Sequence, residues 1–230
     1  MWYNLIEVIE MSVVLDYLPN HSDLKIYQDD SMFRINSDTY ALGEFIEVYK
    51  NDTVLDVGTN NGALLIYASL FHPKKMIGID INSKAIELAK KNMELNNIDN
   101  CTLINQDFLD YSGEEVDVII CNPPYFKGEM DKSDNEFKAL AKHDNYLPID
   151  KLMAGIRKNL KNYGTLFFLY QTSRLDEVVM EMNKNHLTIK EIKFVYDVNK
   201  DYSNVFMIKA CKGLKKGLNV LKPLIIDRKF

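Results

Sequence analysis

The sequence predicts an α/β fold: a doubly wound, mostly parallel sheet of seven strands, covered by helices on both faces, with an antiparallel hairpin at one edge. Three observations carry that expectation. Short, continuously apolar runs recur along the chain, as strands buried on both faces require. Amphipathic stretches with helix start signals separate them. The last two runs have no helix between them, only a turn at Asn199-Lys200-Asp201.

In chain order, residues 1–50 read as an extension ahead of the sheet. Leu24 to Ile35 has a strand-turn-strand look about Asp29-Asp30, and Thr39 to Tyr49 reads as helix. Thr53 to Val57 is an apolar strand, and Gly62 to Phe71 a helix that stops before Pro73. Met76 to Asp80 is the next strand. The spacing of Ala85, Ile86, Leu88, Ala89 and Met93 marks a helix capped by Asn82 or Ser83. Cys101 to Ile104 and Val116 to Cys121 are two further strands. Pro148 to Leu160 is a helix, Thr165 to Tyr170 a strand, and Ser173-x-x-Asp176 reads as a capping box that opens another helix. Ile189 to Tyr196 and Val205 to Ala210 form the closing pair.

The chain has 230 residues, 47% of them hydrophobic and 27% charged, which suits one large domain spanning 1–230. Near the start, Glu7, Glu10 and Asp16 interrupt the apolar stretches and no basic leader precedes them. A cytoplasmic protein with no membrane span is expected. Cys101, Cys121 and Cys211 are isolated and odd in number, so they read as reduced core thiols. His21, His72, His143 and His186 show no ligand spacing, and no metal is expected. From Lys209 onward seven lysines and arginines face a single aspartate, against a net charge of -5 for the whole chain. That terminus reads equally as a phosphate footprint or as a solvated lysine-rich face.

In a doubly wound sheet the ligand lies beyond the carboxyl ends of the strands, where strand order reverses. Four features fall at such ends. The first strand runs into Asp56-Val57-Gly58-Thr59-Asn60-Asn61-Gly62, a turn small enough for a ligand to approach the backbone. The second ends in Asp80, where a carboxylate can accept both hydroxyls of a ribose. The third leads to Gln106-Asp107-Phe108. The fourth delivers Asn122-Pro123-Pro124-Tyr125. Each has a plainer reading alone: Asp80 as a helix cap, Asp107 as a turn former, the glycines as loop punctuation. Their coincidence at successive strand ends favours a site. The three-glycine spacing of a dinucleotide fingerprint is absent from the first turn.

The fourth feature is the most specific. Two prolines remove two amide donors, so the loop presents bare carbonyl oxygens together with the Asn122 carboxamide. A flat group bearing an NH2 can donate to Asn122 and to the Pro123 carbonyl, while Tyr125 offers a face for stacking. Residues 126–147 then form a long polar stretch carrying Lys127, Lys132, Lys138, Lys142 and His143. It reads equally as a substrate-side loop or as a surface excursion.

The first turn, with Asp56 in front and Asn60 where the middle glycine usually stands, resembles the first motif of the class I, Rossmann-like methyltransferases that bind S-adenosylmethionine. Asparagine tolerates positive φ better than other non-glycine residues. The resemblance implies that Asp56, Gly58, Asn60 and Gly62 surround the methionine part, Asp80 and Ile81 the ribose and adenine, and Asp107 and Phe108 the adenine ring. Asn122 to Tyr125 resembles the catalytic motif of amino-methyltransferases acting on adenine or on glutamine amides. Among these the chain looks most like the bacterial tRNA1(Val) adenine-37 N6-methyltransferases. The peripheral matches are Asn36-Ser37-Asp38-Thr39, Ala141-Lys142-His143-Asp144, and Lys212-Gly213 followed by Lys222-Pro223-Leu224-Ile225-Ile226. This implies a tRNA anticodon loop as partner, with Lys127, Lys142, His143, Lys212, Lys215 and Lys216 as candidate RNA contacts, and no obligate protein partner. Protein-glutamine methylation of release factors, and adenine methylation of rRNA or DNA, are the alternatives.

Overall fold

The computed structural model describes residues 13–123 and 147–227. The chain opens with a hairpin of β1 (Val13–Leu18) and β2 (His21–Asp29), followed by the short helix α1 (Ser37–Gly43). The hairpin turns at Pro19-Asn20, with Asn20 left-handed at φ 63, and not at Asp29-Asp30 as the local pattern suggests. Proline and a left-handed asparagine favour a reversal at that point. Asn36 caps α1, its side chain accepting from the amides of Asp38 and Thr39. The helix stops at Gly43, short of the expected Tyr49, because the chain bends to bury Phe45 and Ile46. Phe45 meets Phe167 edge-on at 5.9 Å.

The parallel core follows: β3 (Thr53–Val57), α2 (Ala63–Ser69), β4 (Lys75–Asp80), α3 (Ser83–Leu95), β5 (Cys101–Asn105) and β6 (Val116–Cys121). After the intervening stretch come α4 (Ile149–Asn159), β7 (Leu160–Gln171), α5 (Leu175–Lys184), β8 (Leu187–Asp197) and β9 (Ser203–Lys212). Strands β3 to β7 pair in parallel, while β9 lies antiparallel between β7 and β8. Strand order runs β8-β9-β7-β6-β3-β4-β5, so it reverses between β3 and β6. All five residues of β3 are buried. The seven expected strands are all present.

Two short strands extend the sheet to nine. β10 (Asn219–Val220) and β11 (Leu224–Ile226) run parallel to β8 along its outer side, so the closing hairpin is not the sheet edge. Helix α5 departs from the expected capping box. It begins after a 3-10 turn at Thr172–Arg174, Arg174 is its N-cap without a side-chain cap, and Ser173 Oγ donates instead to Gln171 Oε1. Arg174 bonds Glu177 through two nitrogens, which ties the first turn without a hydroxyl cap.

The N-terminal hairpin is fastened to the parallel core by asparagines. Asn92, fully buried on α3, accepts from the Tyr27 amide at 2.7 Å and donates to the Tyr27 carbonyl and to the Asn61 carbonyl. One turn on, Asn96 does the same for Lys25, accepting at 3.0 Å and donating at 2.7 Å. The two carboxamides, four residues apart on one helix face, satisfy the outer edge of β2 as a neighbouring strand would. Replacing Asn92 with Ala orphans buried backbone groups on both sides. We expect urea unfolding to show a loss of about 2 kcal/mol, with Asn96→Ala costing less than about 1 kcal/mol because it is partly exposed.

Candidate active site

The switch point between β3 and β6 opens into a cavity of about 540 Å³. That volume lies in the range of pockets for small molecules and cofactors. Much of its lining comes from four strand ends, as the parallel topology dictates: Gly58 to Asn61 after β3, Asp80 to Asn82 after β4, Gln106 to Phe108 after β5, and Asn122 with Pro123 after β6.

The turn after β3 is left-handed three times, at Gly58 (φ 73), Asn60 (φ 49) and Gly62 (φ 81). Gly58 and Thr59 both donate their amides to the Ile79 carbonyl at 2.9 Å, which pins the turn against β4. A side-chain carbon added at Gly58 would meet no atom within 4 Å, because it would project into open space. At Gly62 it would press on Met93 at 2.9 Å, so this glycine lets α3 approach.

Asp80 does two jobs. Its Oδ2 accepts from the Asn60 amide and its Oδ1 from the Asn82 amide, each at 2.9 Å. It thereby fixes the β3 turn and opens α3, where Asn82 is the N-cap, while still lining the cavity. Burial raises its pKa, and the backbone bonds partly offset this. Asp107 likewise accepts from the Leu109 amide at 2.9 Å and starts a short 3-10 turn. Both carboxylates therefore accept capping bonds and line the cavity at once. Phe108 is buried, and a side chain at Gly155 would reach its ring at 2.8 Å, so a glycine of α4 makes room for it. Ile81 is 64% exposed at the rim.

Among the described residues, the buried side-chain oxygens without a hydrogen-bond partner are both of Asp56, Oγ1 of Thr59 and Oδ1 of Asn122. All lie at the carboxyl ends of β3 and β6. Asp56 sits within β3, behind the cavity lining, and is fully buried. Burial pushes its carboxyl from an ordinary 3.8 up to about 7, and Asp80 adds to the rise. Thr59 offsets it only in part, from outside ordinary hydrogen-bond geometry.

Of the residues predicted from sequence, Gly58, Asn60, Asp80, Ile81, Asp107, Phe108, Asn122 and Pro123 line the cavity, Asp56 and Gly62 flank that lining on β3 and its turn, and two groups do not join them. Pro124, Tyr125, Lys127, Lys142 and His143 lie outside the described residues. Lys212, Lys215 and Lys216 sit at the far end of the sheet. β9 runs antiparallel to β7, with Cys211 opposite Thr165, so its last residues lie at the amino ends of the parallel strands. There Lys212 donates to the Leu160 carbonyl and pairs with Glu115. The sequence reading missed Met32, Phe33, Arg34 and Ile35, which line the cavity. The only signal for them was an apolar run with one cation just ahead of the Asn36 cap.

A glycine turn on the first parallel strand, an acidic residue on the second and an amide-bearing loop on the fourth place the molecule among nucleoside-cofactor enzymes that transfer methyl groups. Residues 49–213 match the family model described as methyltransferase domain, and the chain belongs to that family. A tRNA1(Val) (adenine(37)-N6)-methyltransferase of Bacteroides thetaiotaomicron is 29% identical over 166 residues, covering 70% of each chain. An enzyme of the same name from Vibrio campbellii is 32% identical over 148 residues, covering 63% of this chain and 61% of that one. The Methanocaldococcus jannaschii Trm5 in complex with adenosine shares the fold at a TM-score of 0.65 and 19% identity, over 89% of this chain and 57% of that one. The protein is a class I methyltransferase with S-adenosylmethionine as its cofactor. The site fits that cofactor. A ligand with two positive centres suits orphaned acceptors, and the open face of Gly58 leaves it room. No helix among the described residues is long and apolar enough to cross a membrane.

The raised pKa of Asp56 has a thermodynamic consequence. The folded protein keeps a proton that the unfolded chain releases above its ordinary value of 3.8, so stability is lost as pH rises, and the loss is complete above about 7. We expect the melting temperature of the cofactor-free protein to fall between about pH 4 and about pH 7, more steeply than that of Asp56→Asn. Equal slopes in differential scanning calorimetry would remove Asp56 as the cause.

Proposed function

We propose that the protein transfers the sulfonium methyl of S-adenosylmethionine to the exocyclic N6 amine of an adenine in RNA, at position 37 beside the anticodon of a valine tRNA. The observation that carries this reading is the Asn122 carboxamide oxygen, buried at the cavity with no partner and followed at once by Pro123. The names of the curated relatives support the RNA and the base.

In this reading Asp56, Gly58, Asn60 and Gly62 enclose the methionine part. Asp80 receives the ribose hydroxyls beside Ile81, and Asp107 and Phe108 take the adenine. Bound in this way, the cofactor supplies an electrophilic methyl on a positively charged sulfur. An adenine amine is a poor nucleophile because its lone pair is delocalised into the ring. Asn122 Oδ1 and the Pro123 carbonyl accept its two N–H groups, which favours a pyramidal nitrogen and localises the pair. S-adenosylmethionine held there would supply the methyl to that nitrogen, with S-adenosylhomocysteine as the neutral leaving group. The methylated nitrogen is acidic and loses its extra proton to water, so no strong base is needed. Tyr125, from the same motif, offers a ring for the flipped base, and an anticodon loop presents bases that are already partly unstacked.

Incubation with labelled S-adenosylmethionine and either total tRNA or release factor tests the acceptor. Label in a valine tRNA at the adenine beside the anticodon is expected; label in release factor alone would replace this reading by glutamine methylation. Asn122→Ala should lower methyl transfer by about 100-fold or more while cofactor affinity changes less than about threefold. Equal losses in calorimetric titration and in activity would refute the role given to Asn122.

A further inference from the structure

Asn60 occupies the position where related turns carry glycine, yet the turn does not need its side chain. The backbone is left-handed there at φ 49, which glycine adopts without strain, and the bond to Asp80 uses the main-chain amide. The carboxamide does something separate: its Nδ2 donates to the Phe33 carbonyl at 2.6 Å. Phe33 belongs to the irregular stretch between β2 and α1 in which Met32, Phe33, Arg34 and Ile35 all line the cavity.

We propose that Asn60 is a positioning residue for the cofactor, holding Met32 to Ile35 in place as one wall of its cavity. The other members of the wall are tied within the N-terminal extension. The Met32 amide donates to the Asp29 carbonyl at 3.0 Å, the Ile35 amide to Gln28 Oε1 at 2.7 Å, and Arg34 pairs with Asp30 at 3.0 Å. Asn60 is the tie that leads from this wall to the glycine turn. The next residue repeats the arrangement, since the Asn61 carbonyl receives Asn92, which also holds Tyr27 of β2. Two successive turn residues are therefore fastened to the extension. Order in the wall and affinity at the turn become linked quantities, each favouring the other. Without the tie, the cost of ordering the wall falls on cofactor binding. None of this depends on which acceptor is methylated.

Asn60→Gly isolates the tie, because it relaxes the turn and removes only the carboxamide. Hydrogen exchange of the cofactor-free variant should quicken at amides 28–35 and stay unchanged in β3 and β4. Affinity for S-adenosylhomocysteine should drop roughly tenfold, with the KM for S-adenosylmethionine rising by more than kcat falls. Asn60→Asp has the same shape without the donor, so it should reproduce the faster exchange at 28–35 without the flexibility of glycine. Unchanged exchange in both variants, or cofactor binding as tight as wild type in Asn60→Gly, would overturn the proposal and leave Asn60 a mere substitute for glycine.

Discussion

A carboxylate buried at the end of a fully covered parallel strand sets the terms for this structure. Asp56 lies in β3, flanked by β4 and β6, with no solvent exposure and no hydrogen-bond partner for either oxygen. Removing such a group from water costs several kcal/mol unless it is paired or neutralised. The protein takes the second course while the cofactor is absent, which is why the carboxyl holds its proton up to about pH 7. A positively charged ligand reverses the balance. The neighbouring architecture serves the same end: Asp80 pins the turn, Gly58 leaves the approach open, and the Ile79 carbonyl holds two successive turn amides.

At the end of the adjacent strand the same topology places a different acceptor. Asn122 presents a neutral oxygen, also buried and unpartnered. The chemical distinction matters. A carboxylate beside a sulfonium would bind the positive charge, whereas a carboxamide accepts a proton donor without competing for it. In the proposed reaction Asp56 on β3 and Asn122 after β6 would divide the work between charge and hydrogen bonding, on neighbouring strands where the strand order reverses.

Much of this was legible in the residues. Continuous apolar runs gave every parallel strand to within a residue or two at most ends, since burial on both faces leaves an unmistakable pattern. The strand ends then gave Gly58, Asp80, Asp107 and Asn122, because a parallel sheet must gather them at one end. What stayed hidden depends on contacts distant in sequence. The real hairpin at Pro19-Asn20 is held by Asn92 and Asn96 on a helix some seventy residues away, and no periodicity announces a carboxamide standing in for a strand. The Met32–Ile35 wall was missed for the same reason. Where Lys212, Lys215 and Lys216 lie was not legible, because a charge count carries no strand direction; β9 runs antiparallel to β7 and leaves them at the end of the sheet opposite the cavity. The cap of α5 failed because Arg174 and Glu177 closed the helix start in place of Ser173.

The pairing of a buried carboxylate with a cationic methyl donor is best examined in a crystal of the protein with S-adenosylmethionine. The expected result is a positive centre of the cofactor within charge contact of Asp56, with the transferable methyl directed toward Asn122 Oδ1. A cofactor bound with Asp56 still unpartnered, and its methyl turned away from Asn122, would contradict it.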